Sequence, residues 1–175
     1  MKKKLFVLLA VIMVLSMLSI PALAGPPDNS VEGRWCYGDI VEGERKISGG
    51  NEFYDLDDSG AWIGTFEGYS SDDGRIQVHA SGFTLFKSTV SFESVEVDGK
   101  SGGLEMRING WLQGADISDY EGLWVITGGT GELAGLRGRG TWGGIEVFNP
   151  LCSAIDEGQF FASVPYEGYI HFEND

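Results

Sequence analysis

Basic side chains, histidine, cysteine and helical periodicity are all scarce in this chain of 175 residues. Twelve Lys and Arg stand against 26 Asp and Glu, a formal net charge of −14. A field of that sign repels polyanions and excludes nucleic acid as a natural partner. Solubility is a sufficient reason for the acidity. The two histidines, His79 and His171, and the two cysteines, Cys36 and Cys152, match no zinc spacing, and the sequence points to no cofactor. No Ser, Cys or acid has motif spacing to either histidine, so no catalytic residue is named. Beyond the N-terminal segment no window of about 12 residues keeps a helical period, which excludes a helical bundle.

One long apolar run is present, at residues 5–20. It follows Lys2, Lys3 and Lys4 and precedes Pro21, Ala22 and Ala24, the pattern of a secretory signal peptide (residues 1–24) cut between Ala24 and Gly25. The run falls short of the ~20 residues that span a bilayer. An exported protein, secreted or periplasmic, with no stable membrane insertion after cleavage is therefore expected. Cleavage removes three of the 12 basic residues and no acid, leaving nine against 26, a net charge of −17. Residues 25–32 read as a linker and 33–175 as a single domain, the size of one core. In an oxidising compartment Cys36 and Cys152 read as a structural disulfide; two buried free thiols are the alternative.

The rest of the chain repeats one theme, short runs of β-branched and aromatic residues separated by Gly, Asp, Asn and Ser. "GAWIGTFEGY" (60–69), "RIQVHASGFTLF" (75–86), "STVSFESVEV" (88–97), "GGLEMRINGWL" (102–112), "GLWVIT" (122–127), "GRGTWGGIEVF" (138–148) and "YEGYIHF" (166–172) read as strands. "DDSG" (57–60), "SDDG" (71–74) and "VDGKSGG" (97–103) read as turns. Within the strands the faces alternate: Leu104, Met106 and Ile108 oppose Glu105, Arg107 and Asn109, and Ile76, Val78 and Ala80 oppose Arg75, Gln77 and His79. One wet and one dry face per strand gives an antiparallel sandwich or a closed barrel. Glycine inside the strand patterns, as at Gly64, Gly68, Gly138 and Gly140, permits the bends that closing a small barrel needs and favours the barrel.

The stretch "GGTGELAGLRGRG" (128–140) invites a phosphate-loop reading. Gly135 is followed by Leu136 and Arg137 rather than Lys-Ser/Thr, and no G-x-G-x-x-G opens a helix, so a nucleotide cradle is rejected. A strand ending at Thr127, a Gly128-Gly129 turn and one helical turn from Glu132 to Leu136 are expected, with Leu133 and Leu136 plugging the barrel end. This loop resembles that of the allene oxide cyclase and dirigent-like barrel superfamily. With "SGAWIGTFEG" (59–68) and "GKSGGLEMRINGW" (99–111) it is similar to an uncharacterised bacterial family within it. The resemblance covers roughly residues 58–142. It implies an all-β, calycin-like, closed eight-stranded antiparallel barrel, often a homo-trimer, with an apolar lumen; it places no functional residue on this chain.

Trp62, Phe66, Trp124 and Trp142 recur at strand centres and form the expected wall of a lumen site for a small apolar or aromatic ligand. Asp55, Asp57 and Ser59 precede Gly60 as calcium ligands do in an EF-hand loop, although Phe66 stands where the closing Glu belongs. Asp57 with Asp58 and Asp72 with Asp73 are expected as exposed turn acids. The expected function is an exported barrel that binds a small apolar ligand. The alternatives are an isomerase-, cyclase- or dirigent-like enzyme, which needs ionisable groups inside the lumen, and a structural protein with a filled barrel.

Overall fold

The computed structural model describes residues 29–38, 41–113, 116–155, 160 and 162–173. The signal peptide expected at 1–24 lies outside the described residues. Among those described, the chain forms β1 (Ser30–Tyr37), β2 (Val41–Glu42), β3 (Lys46–Ser48), β4 (Asn51–Gly64), β5 (Phe66–Val78), β6 (Phe83–Val97), β7 (Lys100–Gln113), β8 (Glu121–Gly129), β9 (Leu136–Gly143), β10 (Glu146–Val147), the one-turn helix α1 (Pro150–Ser153) and β11 (Ala162–Phe172). Among the described residues no helix is long and apolar enough to cross a membrane. β1 opens at Ser30, inside the segment read as linker.

β4 to β9 form an antiparallel meander, β11 adds beside β9, and β1 pairs with β11 on one edge and β4 on the other. That last pairing closes an eight-stranded antiparallel barrel, as expected. β2 and β3 extend β4, and β10 lies on β11. Alternation is kept in β7, where Leu104, Met106 and Ile108 are buried while Glu105, Arg107 and Asn109 are exposed, but not at 75–80, where Ala80 is exposed and Gln77 and His79 are as half-buried as Ile76 and Val78.

The strands are longer than their sequence runs, and two expected turns are not turns. "DDSG" lies within β4 and "SDDG" within β5, and the two pair with each other: Asp57 opposite Asp73, Asp58 opposite Asp72, Ser59 opposite Ser71. Turn-forming residue types are overruled here by a continuous ladder with barrel neighbours on both sides. The real reversals fall inside runs read as single strands: at Gly64, whose φ is 106°, within "GAWIGTFEGY", and between His79 and Gly82 within "RIQVHASGFTLF", where the Gly82 amide donates to the His79 carbonyl at 2.9 Å. The Asp98-Gly99 corner is a hairpin as read, both residues taking positive φ.

Glycine has a second use that explains its number inside strands. Several inward positions are glycine because a flat ring lies against the wall there. A methyl added at Gly168 would sit 2.5 Å from the Trp124 ring, and one at Gly110 would meet the Trp142 ring more closely still. Any side chain at these positions would displace an indole.

One end of the barrel is packed solid. Trp62 meets Phe66 and Phe92 edge-on, with centroids 6.1 and 5.6 Å apart, and Phe66 meets Trp124 at 5.7 Å. Tyr166 accepts the Phe66 amide at 3.0 Å and donates to the Ile63 carbonyl at 3.3 Å. The glycine loop seals this end: β8 runs to Gly129, two residues past its expected end, and a 3-10 turn follows at Gly131–Leu133. Leu133 and Leu136 are fully buried in the core, the plug expected of them.

On the outer wall Cys36 and Cys152 are joined in a disulfide. It ties α1 to β1 within a small buried cluster with Ala61 and Phe160. Asn149 caps α1, its side-chain oxygen accepting the Leu151 amide at 2.9 Å.

Candidate functional site: an acidic, aromatic cup at the open end of the barrel

At the end opposite the glycine loop the lumen is not filled. A cup of about 100 Å³ remains, lined by β1, β4, β5, β6, β9 and β11 and by the segments beside β8 and β9. β1 supplies Trp35 and Tyr37, β4 supplies Leu56 and Asp58, β5 supplies Asp72 and Ile76, and β6 supplies Phe86 and Ser88. The facing wall carries Trp142 from β9, Tyr120 from the segment before β8, Ile145, and Val164 from β11. Trp142 stacks on Tyr120, centroids 5.8 Å apart and planes 15° from parallel, and meets Phe86 edge-on. Trp35 stacks on Trp62 at 5.8 Å, joining the cup to the packed half beneath.

Two carboxyls enter this aromatic space because strand alternation carries them there. In β4 the inward residues are Leu56, Asp58, Gly60 and Trp62; in β5 they are Phe66, Gly68, Ser70 and Asp72. Asp58 and Asp72 are register partners, so their side chains leave the wall side by side. Asp72 is 4% exposed. A relay reaches it from the core: Trp62 Nε1 donates to Ser70 Oγ at 3.1 Å, and Ser70 Oγ donates to Asp72 Oδ1 at 3.0 Å.

Burial dominates the acidity of both groups. It pushes the Asp72 carboxyl up to about 7, helped by the negative charge of Asp58 and opposed by the Ser70 hydroxyl. Asp58, half-buried, is pushed up to about 6 by burial; the Ser59 amide, 2.7 Å from its carboxylate, opposes this and the neighbouring Asp57 adds to it. Tyr37 and Tyr120 are each raised to about 12, burial again being the main cause. At neutral pH the cup therefore holds two neutral phenols and two carboxyls close to their midpoints.

Four buried polar atoms around the cup have no hydrogen-bond partner among the described residues: Trp35 Nε1, Asp72 Oδ2, Tyr120 Oη and Trp142 Nε1. An unmet buried group costs about 1–3 kcal/mol. Two larger but shallow depressions lie on the outer wall, one beside Gly33 and Gly64, the other beside Gly140 and Gly168. Both are lined by Glu32 and Glu167, whose side chains are exposed, and neither is lined by a buried carboxyl.

Of the four residues expected to wall a ligand site, Trp142 lines the cup, whereas Trp62, Phe66 and Trp124 lie in the solid half below. Gly64 and Gly68 do not open space beside those rings. A methyl at Gly68 would instead meet the backbone of Ser94 and Val95. Asp55, Asp57 and Ser59 share the outer face of β4, and Asp55 is held by Lys46 Nζ at 2.8 Å and Arg75 Nε at 2.9 Å. No group of three or more His, Cys, Asp or Glu able to hold a metal occurs among the described residues.

The barrel is similar to a crystal structure of a protein of unknown function from the DUF3224 family of Shewanella oneidensis MR-1. The two are 17% identical, the match covers 85% of this chain and all of that one, and the TM-score is 0.61. At this identity the likeness carries the fold alone. No family model matches the chain, and no curated protein matches it.

Proposed function

We propose that this chain is a small-molecule-binding barrel whose site is the cup between Trp35, Asp58, Asp72, Tyr120 and Trp142. The observation that carries this reading is a partly open cavity inside the barrel, lined by two register-paired carboxyl side chains and five aromatic rings. A volume of about 100 Å³ is below the ~300 Å³ of a site for a drug-sized molecule. The cup therefore takes a compact ligand, or the head of a longer one whose tail leaves through the mouth. Indole N–H resonances test the proposal. Those of Trp35 and Trp142 are free to move on binding, whereas those of Trp62, Trp111 and Trp124 are held by Ser70, Glu121 and the Glu167 carbonyl. Titration with a set of small polar aromatic compounds should shift the first pair and leave the other three in place. Shifts confined to Trp62, Trp111 or Trp124, or no shift from any compound, would contradict the reading.

One observation favours catalysis as a second reading. Two adjacent buried carboxyls titrating near 6 and 7 supply a base and an acid together at neutral pH. Such a pair moves a proton between two positions of a bound carbonyl compound. Deuterium uptake from heavy water into a bound ketone, present with the wild type and absent with Asp72→Asn, is the result this reading requires. Equal uptake with both proteins would remove it.

A further inference from the structure

We infer that the ligand of the cup is a small organic cation, an ammonium group carried on a compact apolar body. This rests on the small-molecule reading above and goes beyond it to the charge of the ligand. Two carboxyls stand side by side on one wall, and no Lys, Arg or His is among the residues that line the space. Among the described residues four acids have cation partners, Glu146 with Arg34, Glu52 with Arg45, Asp55 with Lys46 and Arg75, and Glu173 with Arg137, and all four are at the surface. Among the described residues Asp58 and Asp72 have no cation partner, and Asp72 Oδ2, on a residue 4% exposed, has no donor.

The remaining walls suit a cation as well. Trp35, Tyr37, Tyr120, Trp142 and Phe86 surround the same space, and aromatic faces attract an ammonium group more strongly once water is excluded. An anion would meet two carboxyls at close range, and a neutral apolar molecule would leave Asp72 buried and unmet. An ammonium group satisfies the free carboxylate oxygen and supplies the missing charge. The acidic surface, net −14 over the chain, draws a cation toward the barrel.

The test uses three compounds of matched shape: benzylamine, benzyl alcohol and benzoate, titrated calorimetrically at about pH 8, where both carboxyls are largely ionised. The ionisable groups facing the cup are Asp58, Asp72, Tyr37 and Tyr120, and only the two acids change charge between about pH 5 and pH 8. Benzylamine should bind saturably with a dissociation constant of about 1 mM or tighter, at least tenfold tighter than benzyl alcohol, with benzoate silent. Binding should weaken about tenfold or more on going to about pH 5, and the indole signals of Trp35 and Trp142 should move. Asp72→Asn should weaken benzylamine about tenfold while leaving benzyl alcohol unchanged. Asp58→Asn provides the same comparison should the first variant fail to fold.

Equal affinity for benzylamine and benzyl alcohol, with the cup indoles responding to both, would overturn the cation while leaving the binding site in place. Benzylamine binding that leaves Trp35 and Trp142 unmoved would place it on the acidic surface and overturn the inference. Silence from all three compounds and from both indoles would overturn the inference and count against the binding reading on which it rests.

Discussion

Replacing Cys36 and Cys152 together by alanine should lower the unfolding free energy by about 4–5 kcal/mol, the cost of freeing a loop of roughly 115 residues in the unfolded chain. For a domain of this size that is a fall of roughly 10–20 °C in melting temperature. The size of the effect follows from where the bridge lies: it joins residues 116 positions apart, one on β1 near the start of the barrel and one on α1 just before its last strand. Both sulfurs are buried with Ala61 and Phe160, so the variant also loses packing on the outer wall. The cup is lined by other residues on the inner face, so the Trp35 and Trp142 signals should persist in the folded variant. Denaturant unfolding of the oxidised wild type and the double variant checks the magnitude. Unchanged midpoints would mean that the bridge closes no loop left open in the unfolded state.

Asp72→Asn should make the protein more stable above neutral pH, by about 2–4 kcal/mol, and less sensitive to pH. The folded carboxyl keeps its proton up to about 7, against an ordinary value of 3.8. Below about pH 3.8 both folded and unfolded states hold that proton, and the buried acid is neutral. Between 3.8 and 7 only the folded state holds it, so stability falls as pH rises, by about 1.4 kcal/mol per unit. Above 7 the whole difference, about 4 kcal/mol, has been lost to a buried charge. Asparagine keeps an oxygen for the Ser70 hydroxyl and has no charge to bury; its amide hydrogens, left without acceptors, account for the lower end of the range. The difference between variant and wild type should therefore be small near pH 4 and grow toward pH 8. A difference independent of pH would show that Asp72 ionises freely in the folded protein. Residues that destabilise a fold while serving its site are the common cause of such gains.

The architecture was legible because alternation survives in residues such as Leu104, Met106 and Ile108, and because the Asp98-Gly99 corner uses ordinary hairpin chemistry. The plug was legible from two leucines in an otherwise polar glycine loop. The site was not, and the reason lies in two tetrapeptides. "DDSG" and "SDDG" have the composition of turns, yet β4 and β5 run straight through them and pair them face to face. A single alternating strand drawn from Leu56 to Trp62 would have placed Asp58 on the core face with Trp62, and one from Phe66 would have done the same for Asp72. Turn propensity is a local quantity; the register that overrides it is set by β1 on one edge of the β4–β5 hairpin and β6 on the other. The aromatic wall was found in part. Trp142 was among the expected residues, while Trp35 and Tyr120 lie in "GRWCYG" and "SDYEG", where short polar context hides their inward direction.

Trp62, Phe66 and Trp124 illustrate a related difficulty. A ring at a strand centre points inward whether the lumen is empty or full, and only the three-dimensional sum of ring volumes decides which end is filled. In this chain Leu133 and Leu136 close the half toward the glycine loop, and the remaining space falls where the acids are.

The measurement that bears most directly on this account is a titration of the Asp72 side-chain carboxyl, followed by its carbon resonance in the folded wild type between about pH 3 and pH 9. The account predicts a midpoint near 7, with Asp58 titrating below it and the Trp35 and Trp142 indole signals moving in step. A midpoint near the ordinary 3.8 would mean that Asp72 is solvated rather than enclosed, and the cup as a built site would not stand.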